Sequence, residues 1–247
     1  MSSDLSLALA LADEADAITM RFFRTSFAVR TKADRTPVTE VDEAVERMVR
    51  ARLERERPDD AIVGEEFGSQ GKPGGRRWVV DPIDATKNYL RGIPVFATLI
   101  ALENEAGVVS APSLGRRWWA ARGEGAFCNG SPIHVSTVET LAEAHLCYDD
   151  VPGFEHYGLG ERFLALARRC WRSRGFGDFW SHMLVAEGAV EIAIEPEVAL
   201  WDLAAIKVIV EEAGGRFTNL AGEARADGGS AVSTNGRVHE AALRALS

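Results

Sequence analysis

The stretch Trp78-Val79-Val80-Asp81-Pro82-Ile83-Asp84-Ala85-Thr86-Lys87-Asn88-Tyr89-Leu90-Arg91-Gly92 sets an apolar run directly before two carboxylates three residues apart, and polar, helix-forming residues directly after them. The apolar run reads as a buried strand. Asp81 stands at its C-terminal end, where α/β folds gather ligand chemistry. Pro82 has no N–H to give to a ladder, so the strand is expected to stop there. Asp84 is placed to N-cap a short helix over Ala85–Leu90, closed by Gly92. That helix start would aim the amides of Ala85 and Thr86 outward as an anion cradle. On these residues alone, a strand-ending aspartate followed by an ordinary capping aspartate reads equally well.

Working outward, Val41, Val45, Met48, Val49 and Leu53 recur at helical spacing over 40–57, with Thr39 as N-cap. Residues 5–29 read as an amphipathic first helix, because the segment lacks a basic leader and meets Asp13 and Glu14 too early for a secretory signal. Between them "KADRTPVTEVD" (32–42) reads as a turn or short hairpin. "AIVGEE" (61–66) rises as a strand into Gly64, and "GSQGKPGG" (68–75) reads as a surface loop. Strands follow in "VFATLIAL" (95–102), "GVVSAP" (107–112), "RRWWAAR" (116–122) and "GAFCNG" (125–130). Beyond about residue 138 the pattern alternates, with helices over 158–171, 179–189 and 202–213 and strands in "VEIAIE" and "GRFT". Two halves, 1–137 and 138–247, are expected to pack as one α/β body.

Composition narrows the function. The 247 residues carry a formal net charge of −9, with 46% hydrophobic and 26% charged residues, so disorder and a nucleic-acid partner are both disfavoured. There is no apolar run of the ~18 residues that a membrane span needs. Cys128, Cys147 and Cys170 form neither a CxxC pair nor a metal-ligand spacing with the histidines and read as reduced thiols of a cytoplasmic protein. No Ser/His/Asp or Cys/His order is present. The carboxylates remain: Glu65 and Glu66 after one strand, Asp81 and Asp84 after another, Asp202 at a helix start, and Asp42, which could equally be a plain first-turn acid. Several acids at element ends are what a hard cation such as Mg²⁺ requires.

Taken in order, "GEE" (64–66), "DPIDATKNYLRGIP" (81–94) and "WDLAAIKVIVEEAGG" (201–215) resemble the inositol monophosphatase family of Mg²⁺-dependent phosphomonoesterases, over essentially the whole chain. Within it, "SAPSLGRRWWAARGEGAF" (110–127), "RGFGDFWSHMLVAEGAVEIAIEPEVALWDLAA" (174–205) and "GGSAVSTNG" (228–236) are most similar to the histidinol-phosphate phosphatases of histidine biosynthesis. The resemblance implies a five-layer αβαβα sandwich, a homodimer, a small phosphorylated metabolite as substrate and two or three Mg²⁺ ions. It implies that Glu65, Asp81 and the Ile83 carbonyl hold one ion, that Asp81, Asp84 and Asp202 hold a second, and that Asp42 and Glu65 lie near a weaker third. Thr86 would orient the attacking water beside Glu65, the 85 and 86 amides would hold phosphate, and Asp178 and Glu195 would face the leaving group, with Trp180 nearby. Asp178 as the N-cap of the following helix, and Trp180 as core, are the plainer alternatives.

Two departures stand out. The family pattern has glycine where this chain has Ala85, which is harmless if that residue is helical and costly if it needs positive φ. The "ENEAG" connection (103–107) is tight and leaves the register of its strands open. Other family phosphatases acting on inositol phosphates, fructose bisphosphate or phosphoadenosine nucleotides, and a phosphate-binding homologue weakened by Ala85, are the competing expectations.

Overall fold

The computed structural model describes residues 2–31, 37–72 and 74–247. Helix α1 (Ser3–Phe22) is followed by β1 (Val29–Thr31), β2 (Pro37–Thr39), α2 (Glu40–Glu56), β3 (Ala61–Gly64), β4 (Gly68–Gln70), β5 (Arg77–Asp84) and α3 (Thr86–Leu90). A meander continues through β6 (Ala97–Leu102), β7 (Ala106–Ala111), β8 (Arg116–Ala121), β9 (Gly125–Cys128) and β10 (Ser131–Ile133). The second half runs β11 (His145–Tyr148), α4 (Val151–His156), α5 (Gly160–Arg169), β12 (Arg172–Arg174), α6 (Asp178–Ala186), β13 (Ile192–Glu195), α7 (Leu200–Glu212), β14 (Arg216–Thr218), β15 (Ala231–Thr234) and α8 (His239–Leu246).

Two sheets organise these elements, an eight-stranded one in the order β10-β9-β8-β7-β6-β5-β3-β4 and a five-stranded one in the order β12-β11-β13-β15-β14. The period of two along each strand sends side chains to opposite faces. Trp78 and Val80 of β5 pack with Leu11 of α1 and Val45 and Val49 of α2, whereas Val79 packs with Leu203, Ile206 and Val210 of α7. Beyond the second sheet, Ile192 and Ile194 of β13 pack with Phe163 of α5 and Ala242 of α8. The layers therefore alternate αβαβα, as the resemblance implied.

Helix α7 lies between the sheets. Leu203 to Val210 are all buried, and all but Lys207 are apolar, so the helix expected over 202–213 is covered on two sides. It approaches β7 so closely that a Cβ on Gly107 would lie 2.6 Å from the Ala205 carbonyl oxygen. Glycine is required there by contact rather than by φ.

Other expectations are corrected in detail. The first helix ends at Phe22 rather than near 29, because Arg24 takes a left-handed φ of 60° and the chain then enters β1. β1 and β2 pair antiparallel, as the hairpin expectation had it, while residues 32–36, where a turn was expected, lie outside the described residues. Part of the expected loop, Gly68–Gln70, is strand β4, paired with β3; residue 73 lies outside the described residues. The tight connection keeps an unbroken register from Leu102↔Ala106 to Thr98↔Ser110, with Asn104 at φ 60° making the turn.

Candidate active site

The decisive local correction concerns β5. It does not stop at Pro82 but runs to Asp84 through a register shift against β6 between Asp81 and Asp84. The bulge absorbs the proline: the Ile83 N–H donates to Asp81 Oδ1 at 3.0 Å instead of to the ladder, and the Thr98 hydroxyl donates to the Pro82 carbonyl at 2.7 Å. Asp84 is therefore not the cap of α3. Ala85 holds that place, with φ 65° and ψ 46°. Asp84 Oδ2 instead accepts the Phe179 N–H at 2.8 Å, serving the first turn of α6 from 95 residues away. Asp202, in the first turn of α7, accepts the Ala199 N–H at 2.9 Å.

These constraints bring oxygen atoms of Asp81, Asp84 and Asp202 within 4.8 Å of one another. They line a cleft of about 380 Å³ together with Glu65, Ile83, Ala85, Thr86, Lys87, Asn88, Asp149, Asp150 and Asp178. A smaller recess of about 140 Å³ continues from it past Asp84, Asp149, Asp178 and Asp202 to Glu195 and Glu197. Asp42 does not line the cleft. It is fully buried, its Oδ2 accepts from the Thr39 amide at 2.8 Å in the capping box of α2, and its Oδ1 has no partner. Trp180 packs against the central core, the plainer of its two expected roles. Asp178 is not an N-cap: Gly177 is, and Asp178 opens α6 with a φ of 48° and turns toward the recess.

Desolvation and mutual repulsion dominate the electrostatics. Burial, then the charges of Glu65, Asp202 and Asp84, hold the Asp81 carboxyl well above its ordinary value. Burial, then Asp178 and Asp202, do the same to Asp84. Burial pushes Asp202 and Asp178 up to about 7, and Asp42 and Asp149 up to about 6. Among the described residues no arginine or lysine is ion-paired with Asp81, Asp84 or Asp202. Buried like charges without a protein counter-charge, offering only oxygen donors, fit hard divalent cations.

The family model described as the inositol monophosphatase family matches residues 1–247. The chain belongs to the inositol monophosphatase family. A protein of Mycobacterium tuberculosis named histidinol-phosphatase is 53% identical, over 98% of this chain and 97% of its own. Another of that name from Streptomyces coelicolor is 51% identical, over 97% of this chain and 95% of its own. Among solved structures, an inositol monophosphatase from Zymomonas mobilis superposes with a TM-score of 0.88 at 32% identity, covering 100% of this chain and 99% of that one.

For a member of the inositol monophosphatase family, Ala85 is now the informative departure. Its φ of 65° places it in the left-handed region, so the costly branch of the expectation holds. That conformation costs a Cβ-bearing residue about 1–2 kcal/mol, and the half-buried methyl returns roughly half of ~0.8 kcal/mol through packing. Ala85→Gly is thus expected to raise the midpoint of thermal unfolding by about 2 °C. A lowered midpoint would mean that the methyl's packing outweighs the backbone cost.

Asp149 escaped the sequence reading. It follows the short strand β11, where "HLCYDD" (145–150) carries the same apolar-then-acid signature that singled out Asp81. Four residues beginning with histidine were too short a run to register as a strand.

Proposed function

We propose that this protein is a Mg²⁺-dependent phosphomonoesterase that hydrolyses histidinol phosphate to histidinol and inorganic phosphate, a step of histidine biosynthesis. The carrying observation is the charge of the cleft: among the described residues, seven carboxylates, Glu65, Asp81, Asp84, Asp149, Asp150, Asp178 and Asp202, line it beside one basic residue, Lys87. A phosphate ester, itself carrying about −1.5 to −2 at neutral pH, is repelled from such a wall unless cations stand between. Glu65, Asp81, the Ile83 carbonyl, Asp84 and Asp202 would hold two Mg²⁺ ions, and the orphaned Asp42 Oδ1 supports a weaker third beside Glu65. When bound, the ions supply positive charge to the phosphate oxygens and acidify water.

The chain's own residues do the rest. The Thr86 hydroxyl donates to the Ile83 carbonyl at 2.9 Å, so its lone pairs are left to accept a hydrogen bond from the attacking water and orient that water with Glu65. The amides of Ala85 and Thr86 precede the first intrahelical bonds of α3, which return from Asn88 and Tyr89 to the Ala85 carbonyl, and are directed at phosphate. Asp149, Asp178 and Glu195, grouped in the recess, complement the ammonium of the leaving alcohol. The names borne by the two bacterial relatives support the same substrate.

A homodimer in the cytoplasm is part of this reading, and no helix among the described residues is long and apolar enough to cross a membrane. The test is phosphate release from histidinol phosphate with Mg²⁺ and with excess chelator, against inositol 1-phosphate and fructose bisphosphate. Release that needs Mg²⁺ and favours histidinol phosphate is expected. Release unaffected by chelation, or another preferred ester, would overturn it.

A further inference from the structure

Behind the recess lies a buried polar relay that the hydrolytic chemistry leaves unused. His182, on α6, is fully buried; its Nδ1 is 2.7 Å from Ser233 Oγ and its Nε2 is 3.3 Å from Glu195 Oε1. The register explains the meeting. Ser233 pairs with Ala193 across β13 and β15, and Ala193 and Glu195 share a face by the period of two, so Ser233 and Glu195 both look toward the face that α6 covers.

We infer that His182 is a positioning residue for substrate specificity: fixed by Ser233, its imidazole holds the Glu195 carboxylate toward the recess that receives the cationic part of the leaving group. The inference rests on the reading of Glu195 in the proposed function. With a proton on Nε2 the ring donates to Glu195, and the Ser233 hydroxyl at Nδ1 holds the ring in place. The imidazole N–H fixes the direction of the carboxylate from inside the fold, on the side away from the recess. Glu195 is only 6% exposed, so its carboxylate has little water to replace a lost donor.

The experiment compares histidinol phosphate with glycerol 2-phosphate, an ester lacking the cation, in wild type, His182→Leu, His182→Gln and Ser233→Ala. In His182→Leu, KM for histidinol phosphate is expected to rise about tenfold, the scale of one hydrogen bond to a charged group, with kcat little changed. For glycerol 2-phosphate, kcat/KM should move by less than about twofold. His182→Gln, whose amide still reaches Glu195 as a donor, should stay within about threefold of wild type. Added to Glu195→Gln, His182→Leu should cause no further loss, because it acts through that carboxylate. Calorimetric binding of histidinol should follow the same order without turnover. If His182→Leu does not fold, Ser233→Ala, which frees the ring, carries the same comparison. Equal losses on both esters, or an unchanged preference, overturn the positioning role. A wild type that does not prefer the cationic ester overturns the substrate reading instead, a distinct result.

Discussion

Asp84→Asn is expected to abolish nearly all Mg²⁺-dependent phosphate release while leaving the fold intact. The loss should reach about three orders of magnitude, ~4 kcal/mol at ~1.4 kcal/mol per tenfold, the scale of charge stabilisation that a held divalent ion supplies. The fold survives because the carboxamide oxygen still accepts the Phe179 N–H now bound at 2.8 Å. In metal-free protein the same change is expected to stabilise, because it deletes one of the crowded carboxylates whose repulsion raises the others. The pH dependence follows from the sign of those shifts. Asp202 and Asp178 titrate at about 7 in the folded chain and near 4 when unfolded, so between these values the folded state holds the extra protons. Metal-free stability from these groups is therefore present at low pH, falls as pH rises from about 4 to about 7, and levels off above. Mg²⁺ should raise the unfolding midpoint at pH 8 far more than at pH 5 in wild type, and little at either pH in Asp84→Asn. A variant that melts well below wild type without metal would instead assign Asp84 a structural role.

Glu46→Ala should produce the largest loss of stability outside the hydrophobic core. Glu46 is fully buried and accepts from Arg50 Nε at 2.7 Å, from the Glu66 N–H at 2.7 Å and from the Phe67 N–H at 3.2 Å. Arg50 in turn donates to Gln70 Oε1 at 3.2 Å and to the Gly68 carbonyl. One ion pair on α2 thus pins the turn that carries Glu65. Deleting the acid strands a buried guanidinium, a cost of about 3–5 kcal/mol, which lowers the unfolding midpoint by roughly 10 °C. Mg²⁺-dependent turnover should fall as well, since Glu65 loses its anchored backbone, and Glu46→Gln should lie between alanine and wild type on both measures. The same clamp explains the glycine of "GEE": a Cβ on Gly64 would stand 2.0 Å from Glu46 Oε1. That glycine serves the buried glutamate, whereas its neighbour serves the cleft.

Much of the site was legible because acids at the ends of apolar runs are uncommon enough to notice. Asp81 and Asp84 were marked this way and Asp202 as an acid at a helix start, and the structure gathers their oxygens within 4.8 Å. What the sequence hid were relations between distant segments. Asp84 looked like the cap of the next helix, yet its carboxylate serves the first turn of α6, a pairing no local window contains. Glu46 and Arg50, four apart on a helix, are indistinguishable in sequence from an exposed surface pair until the β3–β4 turn closes over them. Pro82 misplaced the strand end because a bulge can house a missing donor. His182 and Ser233 meet only after two strands and a helix have taken their register.

The double burial of α7 also limits how substrate can enter. This helix carries Asp202 and is cemented to strands on either side, with Ala205 against Gly107 of one sheet and neighbours from β14 and β15 of the other. A clamshell opening of the two halves would have to strip it from one of them, exposing apolar surface along its whole length. Traffic of ester and alcohol therefore does not run through a parting of the two sheets. What an arriving molecule meets first is the charge at the doorway, the carboxylates of the cleft lining.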